Sequence, residues 1–261
     1  MSDIQAHRAR KRFGQNFLVD ERIIERIIAA VAPQPGQLMI EIGPGQEALT
    51  APLLASGVDL KVVEIDRDLV RGLRLRNPDL EVIEGDALKI DFARLAGGKP
   101  YRLLGNLPYN ISTPLLFHLL AQTPPPTDMV FMLQKEVVDR MGAAPGNGIY
   151  GRLSLMCQAK AEIATLLAVP PTAFEPRPKV DSAIVRVTPR AESLVPAECE
   201  IRFDRVVREA FSKRRKTLRN SLKPLLTAAE IEAAGVDPGL RPEQVDLPGF
   251  VALARAVGEL P

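Results

Sequence analysis

Tryptophan is absent from this 261-residue chain, and cysteine and histidine occur only twice each. Cys157 and Cys199 stand far apart, which excludes a disulfide framework and fits reduced thiols in a cytosolic setting. His7 and His118 form no ligand-spaced group with them, so no protein metal site is expected. His118 lies within Leu115-Leu116-Phe117-His118-Leu119-Leu120, where packing inside a helix is the expectation. No apolar run approaches the roughly 20 residues of a membrane span. The N-terminus opens with Ser2-Asp3-Ile4-Gln5 and turns basic without an apolar stretch, so no secretory signal is expected. Internal repeats are lacking, and Pro124-Pro125-Pro126 is the one biased run. These absences predict a cytoplasmic protein without a membrane segment.

What is present begins with an apolar fraction of 46%, enough for a sizeable core. The length fits one large domain or two ordinary ones. Net charge is only +2, but it is unevenly placed. From Arg202 to Lys223 nine Lys or Arg stand against Asp204 and Glu209, a local net of +7. From Pro224 to Pro261 two Arg stand against six acids, a local net of −4. Arg8, Arg10, Lys11 and Arg12 form a second basic run. Localised positive patches on a near-neutral chain point to a polyanionic partner with a defined docking face. The alternative for each run is a solvated helix face.

Apolar strands alternate with amphipathic helices up to about residue 188. The expected strands are Leu38–Ile42, Lys61–Ile65, Leu80–Ile83, Arg102–Leu104, Met129–Leu133, Ile163–Val169 and Ala183–Val187. Glu21–Val31 is an expected helix, with Ile23, Ile24, Ile27, Ile28 and Val31 on one face. This alternation implies an α/β fold with a mainly parallel sheet of seven strands and helices on both sides. The last two strands have no helix between them and are expected to pair as an antiparallel hairpin. Around Thr188–Glu198 the composition shifts to Pro, Ala, Ser and Glu, as in a linker. Beyond it Phe203, Val206, Val207, Ala210 and Phe211 fit one helix face, and residues 247–260 another. The expected division is an α/β domain over 1–188 and a small C-terminal all-helical domain over 189–261.

Four polar signals fall at the carboxyl ends of the first four strands. They are the Gly43-Pro44-Gly45-Gln46-Glu47-Ala48 turn, Glu64, Gly85-Asp86 and Asn106. In an open α/β sheet ligands bind in the crevice outside those ends. Glycine at 43 and 45 lets backbone approach a ligand closely. Glu64 follows Gly43 by 21 residues, the spacing at which an acid accepts from ribose hydroxyls. Asp86 can accept from an adenine amino group. Four signals in register point to an adenosine-containing cofactor, either a dinucleotide or S-adenosylmethionine (SAM). Gly105-Asn106-Leu107-Pro108-Tyr109-Asn110 decides between them. The Asn106 carbonyl can accept from an exocyclic amine, Pro108 rigidifies the turn, and Tyr109 offers a face on which a base stacks. A grip on a base amine suits methyl transfer and not hydride transfer. The competing reading of that stretch is an ordinary turn after a strand.

These stretches closely resemble the KsgA-type ribosomal RNA adenine dimethyltransferases, from about Lys11 to Lys223. Arg12-Phe13-Gly14-Gln15-Asn16-Phe17-Leu18 is similar to the family's N-terminal cofactor segment. Glu41-Ile42-Gly43-Pro44-Gly45 with Leu49-Thr50 is similar to its glycine loop. Val63-Glu64-Ile65-Asp66 and Gly85-Asp86-Ala87 are similar to its ribose and adenine contacts, and Gly105–Ser112 to its catalytic loop. Phe131-Met132-Leu133-Gln134-Lys135-Glu136, the stretch from Ala173 to Ser182, and Phe211–Leu218 also match. The resemblance implies a Rossmann-like class I SAM-dependent methyltransferase fold. It implies cofactor contacts from Gln15, Asn16, Leu18, Gly43, Gly45, Glu64, Ile65, Asp86, Ala87 and Asn106. It implies catalytic roles for Asn106, Leu107, Pro108 and Tyr109, and for Phe174 as a second stacking face. The implied partner is the small ribosomal subunit and its 16S rRNA, with two methyls placed on N6 of each of two adjacent adenosines near the 3′ end. A role in small-subunit biogenesis and a monomeric state follow.

One position departs from the family, which usually has a small residue where this chain has Glu47. Either its carboxylate faces the methionyl carboxylate of SAM, or it turns outward and caps the next helix. DNA adenine methyltransferases tend to carry an acid where Asn106 stands. Large-subunit rRNA methyltransferases lack the Lys213–Leu218 match. An RNA-binding assembly factor with a vestigial catalytic fold is set against by the intact Asn106–Tyr109, while Glu47 leaves it open.

Overall fold

The computed structural model of the chain describes residues 15–213 and 215–258. The elements run β1 (Phe17–Leu18), α1 (Glu21–Val31), β2 (Leu38–Ile42), α2 (Thr50–Ala55), β3 (Asp59–Glu64), α3 (Arg67–Arg76) and β4 (Glu81–Glu84). They continue with α4 (Phe92–Leu95), β5 (Tyr101–Asn106), α5 (Ser112–Leu120), β6 (Asp128–Gln134), α6 (Lys135–Met141), α7 (Arg152–Lys160) and β7 (Ala161–Val169). The last are β8 (Phe174–Glu175), β9 (Ser182–Pro189), α8 (Glu200–Ser212), α9 (Leu218–Ser221), α10 (Ala228–Ala233) and α11 (Leu247–Ala256).

Seven strands form one sheet in the order β4-β3-β2-β5-β6-β9-β7. The pairs β4–β3, β3–β2, β2–β5 and β5–β6 are parallel, and β9 runs antiparallel to β6. β7 and β9, the two late strands expected to pair, are neighbours. Every residue of β2 is buried, as expected of a strand covered on both faces. The strand order reverses between β2 and β5, which makes the ends of these two strands the switch point of the sheet.

Local chemistry explains α1. The Asp20 side chain accepts from the Arg22 and Ile23 N–H groups and starts the helix. Ile23, Ile27 and Val31 are buried, and Ile24 and Ile28 pack against the same cluster. The last turn has no basic residue. Arg102 on β5 instead donates to Val31 O at 2.8 Å, and Arg186 on β9 donates to Ala30 O at 2.5 Å. Asp128 accepts from Arg102 at 2.5 Å, which balances the charge. His118 is a packing residue, with Nε2 2.7 Å from Ile90 O and its ring edge-on to Phe92.

The chain divides into two compact units, 1–138 with 164–189 and 139–163 with 190–261. This corrects the expected division into 1–188 and 189–261. The segment 139–163 belongs to the second unit because Ala143, Tyr150, Leu155 and Ala159 share a core with Phe203, Val206, Val207, Phe250 and Leu253. The segment lies before the linker at Thr188–Glu198, where the sequence alone placed the boundary.

The basic run around Lys213 does not lie on one continuous helix. α8 stops at Ser212, Lys213 leaves helical backbone at φ −131 and ψ 71, and α9 begins only at Leu218. Lys213, Arg215 and Lys216 are exposed on the turn between these helices. Leu218 and Leu222 are buried in the core. Arg214, the Arg8–Arg12 run and Arg12-Phe13-Gly14 lie outside the described residues, as does the end of the helix expected over 247–260.

Candidate active site

A cavity of about 290 Å³ opens in the first unit at the carboxyl ends of β2, β3, β4 and β5. Its wall contains Gln15, Asn16 and Leu18, the turn residues Gly43 and Gly45, Glu64 and Ile65, Asp86 and Ala87, and Asn106 to Tyr109. Sequence reasoning had assigned each of these to cofactor or catalysis. They share one space because the parallel strands end together on the side where the strand order reverses.

The glycine turn has two glycines at positive φ, Gly43 at 70° and Gly45 at 56°. A Cβ on Gly45 would meet the Phe17 ring at 3.2 Å. Beside it, Glu64 is buried, and its Oε1 accepts the Ile65 N–H at 2.9 Å and the Asp66 N–H at 2.8 Å. Burial pushes its pKa up, and the backbone N–H groups of Asp66, Ile65 and Gly45 pull it back. Asp86 is held by the Leu88 N–H at 3.0 Å and caps the short turn Ala87–Lys89. Asp66 caps α3 and accepts from Gln15 Nε2 at 3.3 Å.

Glu41 also lines the cavity and was missed by sequence reasoning. It is 1% exposed and accepts from Thr50 Oγ1 at 2.6 Å. Burial pushes its carboxyl up to about 8, the Thr50 hydrogen bond opposes that, and the charges of Glu47 and Glu64 add to it. The available signal was one acid inside the apolar run Leu38-Met39-Ile40-Glu41-Ile42.

The loop after β5 is fixed at several points. Asn106 Nδ2 donates to Asn16 O at 2.9 Å, and the Leu107 N–H donates to Met132 O at 3.2 Å. Pro108 O takes the Ile111 N–H at 3.2 Å, and Ser112 Oγ donates to Tyr109 O at 3.1 Å. Tyr109 is half-buried, and its hydroxyl lies 2.6 Å from Ser182 Oγ. Burial raises its pKa, and the Ser182 hydrogen bond lowers it.

Two expectations are corrected here. Phe174 was expected to close over a base, but it is 2% exposed and is not part of the cavity wall. The β1–β8 pairing sets it opposite Leu18, and its ring packs in the core with Ala173 and Ile184. Glu47 neither faces the cavity nor caps a helix. It sits at φ 68, and its carboxylate accepts from Arg76 Nε at 2.5 Å and Asn77 Nδ2 at 2.7 Å. α2 begins three residues later, at Thr50.

Among the described residues, no three His, Cys, Asp or Glu side chains are grouped as a metal site, and no helix is long and apolar enough to cross a membrane. A sequence model of the family described as ribosomal RNA adenine dimethylase matches residues 6–246. Ribosomal RNA small subunit methyltransferase A of Pseudomonas aeruginosa is 57% identical over 265 residues, spanning 100% of this chain and 99% of that protein. Its counterpart from Chromohalobacter salexigens is 52% identical over 262 residues, spanning 97% and 93%. A dimethyladenosine transferase from Plasmodium falciparum superposes with a TM-score of 0.78 at 27% identity, over 91% of this chain and 95% of that one. The 23S rRNA methyltransferase ErmE superposes with a TM-score of 0.70 at 28% identity, over 93% and 99%.

Proposed function

The chain belongs to the ribosomal RNA adenine dimethylase family, and on that premise we propose that it methylates N6 of two adjacent adenosines near the 3′ end of 16S rRNA. Each adenosine receives two methyl groups, SAM is the donor, and the reaction serves small-subunit biogenesis in the cytoplasm. The observation that carries this reading is the hydrogen bond from Asn106 Nδ2 to Asn16 O inside the cavity. It fixes the amide through one of its two N–H donors and leaves Oδ1 as the acceptor for a base amine. That orientation is the one a grip on N6 requires.

The residues present fit the cofactor. Gly43 and Gly45 supply a close-approach turn, Glu64 an acceptor for ribose hydroxyls, and Asp86 an acceptor for the adenine amine. Glu41 is a buried carboxyl on the cavity wall and offers an acceptor to the methionyl end. Bound there, SAM supplies an electrophilic methyl group on a sulfonium. The chain's own task is then to prepare the amine. An adenine amine is a poor nucleophile because its lone pair is delocalised into the ring. Asn106 Oδ1 and the Leu107 carbonyl accept its two hydrogens, which favours a pyramidal nitrogen. Leu107 is the less committed of the two candidate carbonyls, since the Pro108 carbonyl already takes one hydrogen bond, from the Ile111 N–H. Positioning supplies most of the remaining acceleration. No strong general base is needed, since the proton leaves after alkylation. The target base leaves its stack at a cost of a few kcal/mol, and stacking on Tyr109 returns roughly 1–3 kcal/mol. The cations at Lys213, Arg215 and Lys216 hold RNA phosphates.

The test is incubation with labelled SAM and under-methylated small subunits, with large subunits in parallel. The expected result is label in small-subunit RNA alone, recovered as N6,N6-dimethyladenosine. Label confined to large-subunit RNA would replace this reading with the specificity of ErmE-type enzymes.

A further inference from the structure

We propose that Ser182 is a positioning residue for methyl transfer, holding the Tyr109 ring where the target base stacks. The inference rests on the reading of Tyr109 as the base platform. Tyr109 belongs to a loop, and its ring reaches the cavity from one anchored end, the backbone. Free rotation about Cα–Cβ would swing the ring away from the cavity, because a half-buried phenol hydroxyl seeks either a partner or water. Ser182 Oγ, 2.6 Å from the hydroxyl, fixes the far end.

Ser182 is a rigid anchor. It is fully buried and opens β9, where it pairs with Gln134 of β6. The Lys135 N–H donates to Asp181 O at 2.9 Å and tightens the same junction. Leu107 N–H bonds to Met132 O of the same strand β6. The loop is therefore referenced twice to β6, once through its backbone and once through β9. This arrangement pre-sets the stacking face before RNA arrives, which is where orientation contributes to rate.

Three variants test the inference, each measured for single-turnover rate on under-methylated small subunits, subunit KM, SAM affinity and melting temperature. Ser182→Ala leaves the Tyr109 hydroxyl without its partner. Its expected effect is a roughly three- to tenfold fall in rate, the worth of one hydrogen bond, with SAM affinity, KM and melting temperature near wild type. Tyr109→Phe combined with Ser182→Ala removes both hydroxyls, so nothing draws the ring toward water. The expected rate recovers toward wild type. Tyr109→Ala removes the platform and collapses the rate. A Ser182→Ala enzyme of wild-type rate overturns the inference. So does a double variant as slow as Ser182→Ala, and so does a rate loss matched by falling SAM affinity and melting temperature. A Tyr109→Ala enzyme of wild-type rate overturns the platform reading itself, and a collapsed Tyr109→Ala with an unimpaired Ser182→Ala overturns the positioning role alone.

Discussion

Glu41 and Glu47 show how much a single carboxylate depends on its surroundings. With its pKa pushed up to about 8 by burial, Glu41 holds a proton in the folded protein that the unfolded chain releases near 4.5. The unfolded state therefore binds fewer protons between these values, and stability falls as pH rises through that window. Glu41→Gln removes this dependence while keeping an acceptor for Thr50. Its melting temperature should exceed the parent's at pH 8 and approach it near pH 4.5, which a pH series of thermal melts checks. Glu47 faces Arg76 and Asn77 instead of the cavity. Glu47→Ala should lower stability by about 1–2 kcal/mol through the lost anchor, with SAM affinity nearly unchanged by isothermal titration. A tightening that grows at low salt would return the carboxylate to the cofactor. The strand-end residues from Gly43 to Tyr109 were legible because each is chemically out of place beside an apolar run. The side-chain direction of Glu47 was not, because it depends on a positive φ and on partners about 30 residues away.

At the scale of elements, β2 and β5 approach so closely that a Cβ on Gly105 would lie 2.2 Å from Ile42 O. That contact sets Ile42, the last residue of β2, against the residue just before Asn106, and both Ile42 and Asn106 line the cavity. Gly105→Ala must push the two strands apart, at a cost of about 1–3 kcal/mol. The expected outcome is a lower melting temperature together with weaker SAM binding. Unchanged values for both would show that the strand ends can separate freely. Helix α1 and strand β2 were legible to the residue, since amphipathic period and unbroken apolarity are local signals. The two-residue strands β1 and β8 were not, because their pairing joins residues far apart in the chain, Phe17 with Glu175 and Leu18 with Phe174. That unseen pairing is also why Phe174 was misread as a stacking face.

For the whole molecule, the excess of positive charge belongs to the second unit and the cavity to the first. Composition revealed the charge, but the unit boundary escaped it, because segment 139–163 joins the second core only through tertiary packing. Replacing Arg215, Lys216 and Arg219 by Ala should weaken binding to small subunits and flatten its salt dependence, since phosphate contacts release counterions. Sedimentation across a salt series checks this, and an unchanged slope would leave the run a solvated surface. SAM binding should be unaffected. The central claim is that Asn106 serves the target amine more than the cofactor. Asn106→Ala, measured in parallel by SAM titration and by methyl transfer to under-methylated small subunits, tests that most directly. The account predicts SAM affinity within a few-fold of wild type and transfer reduced by roughly a hundredfold or more. Transfer at the wild-type rate would contradict it.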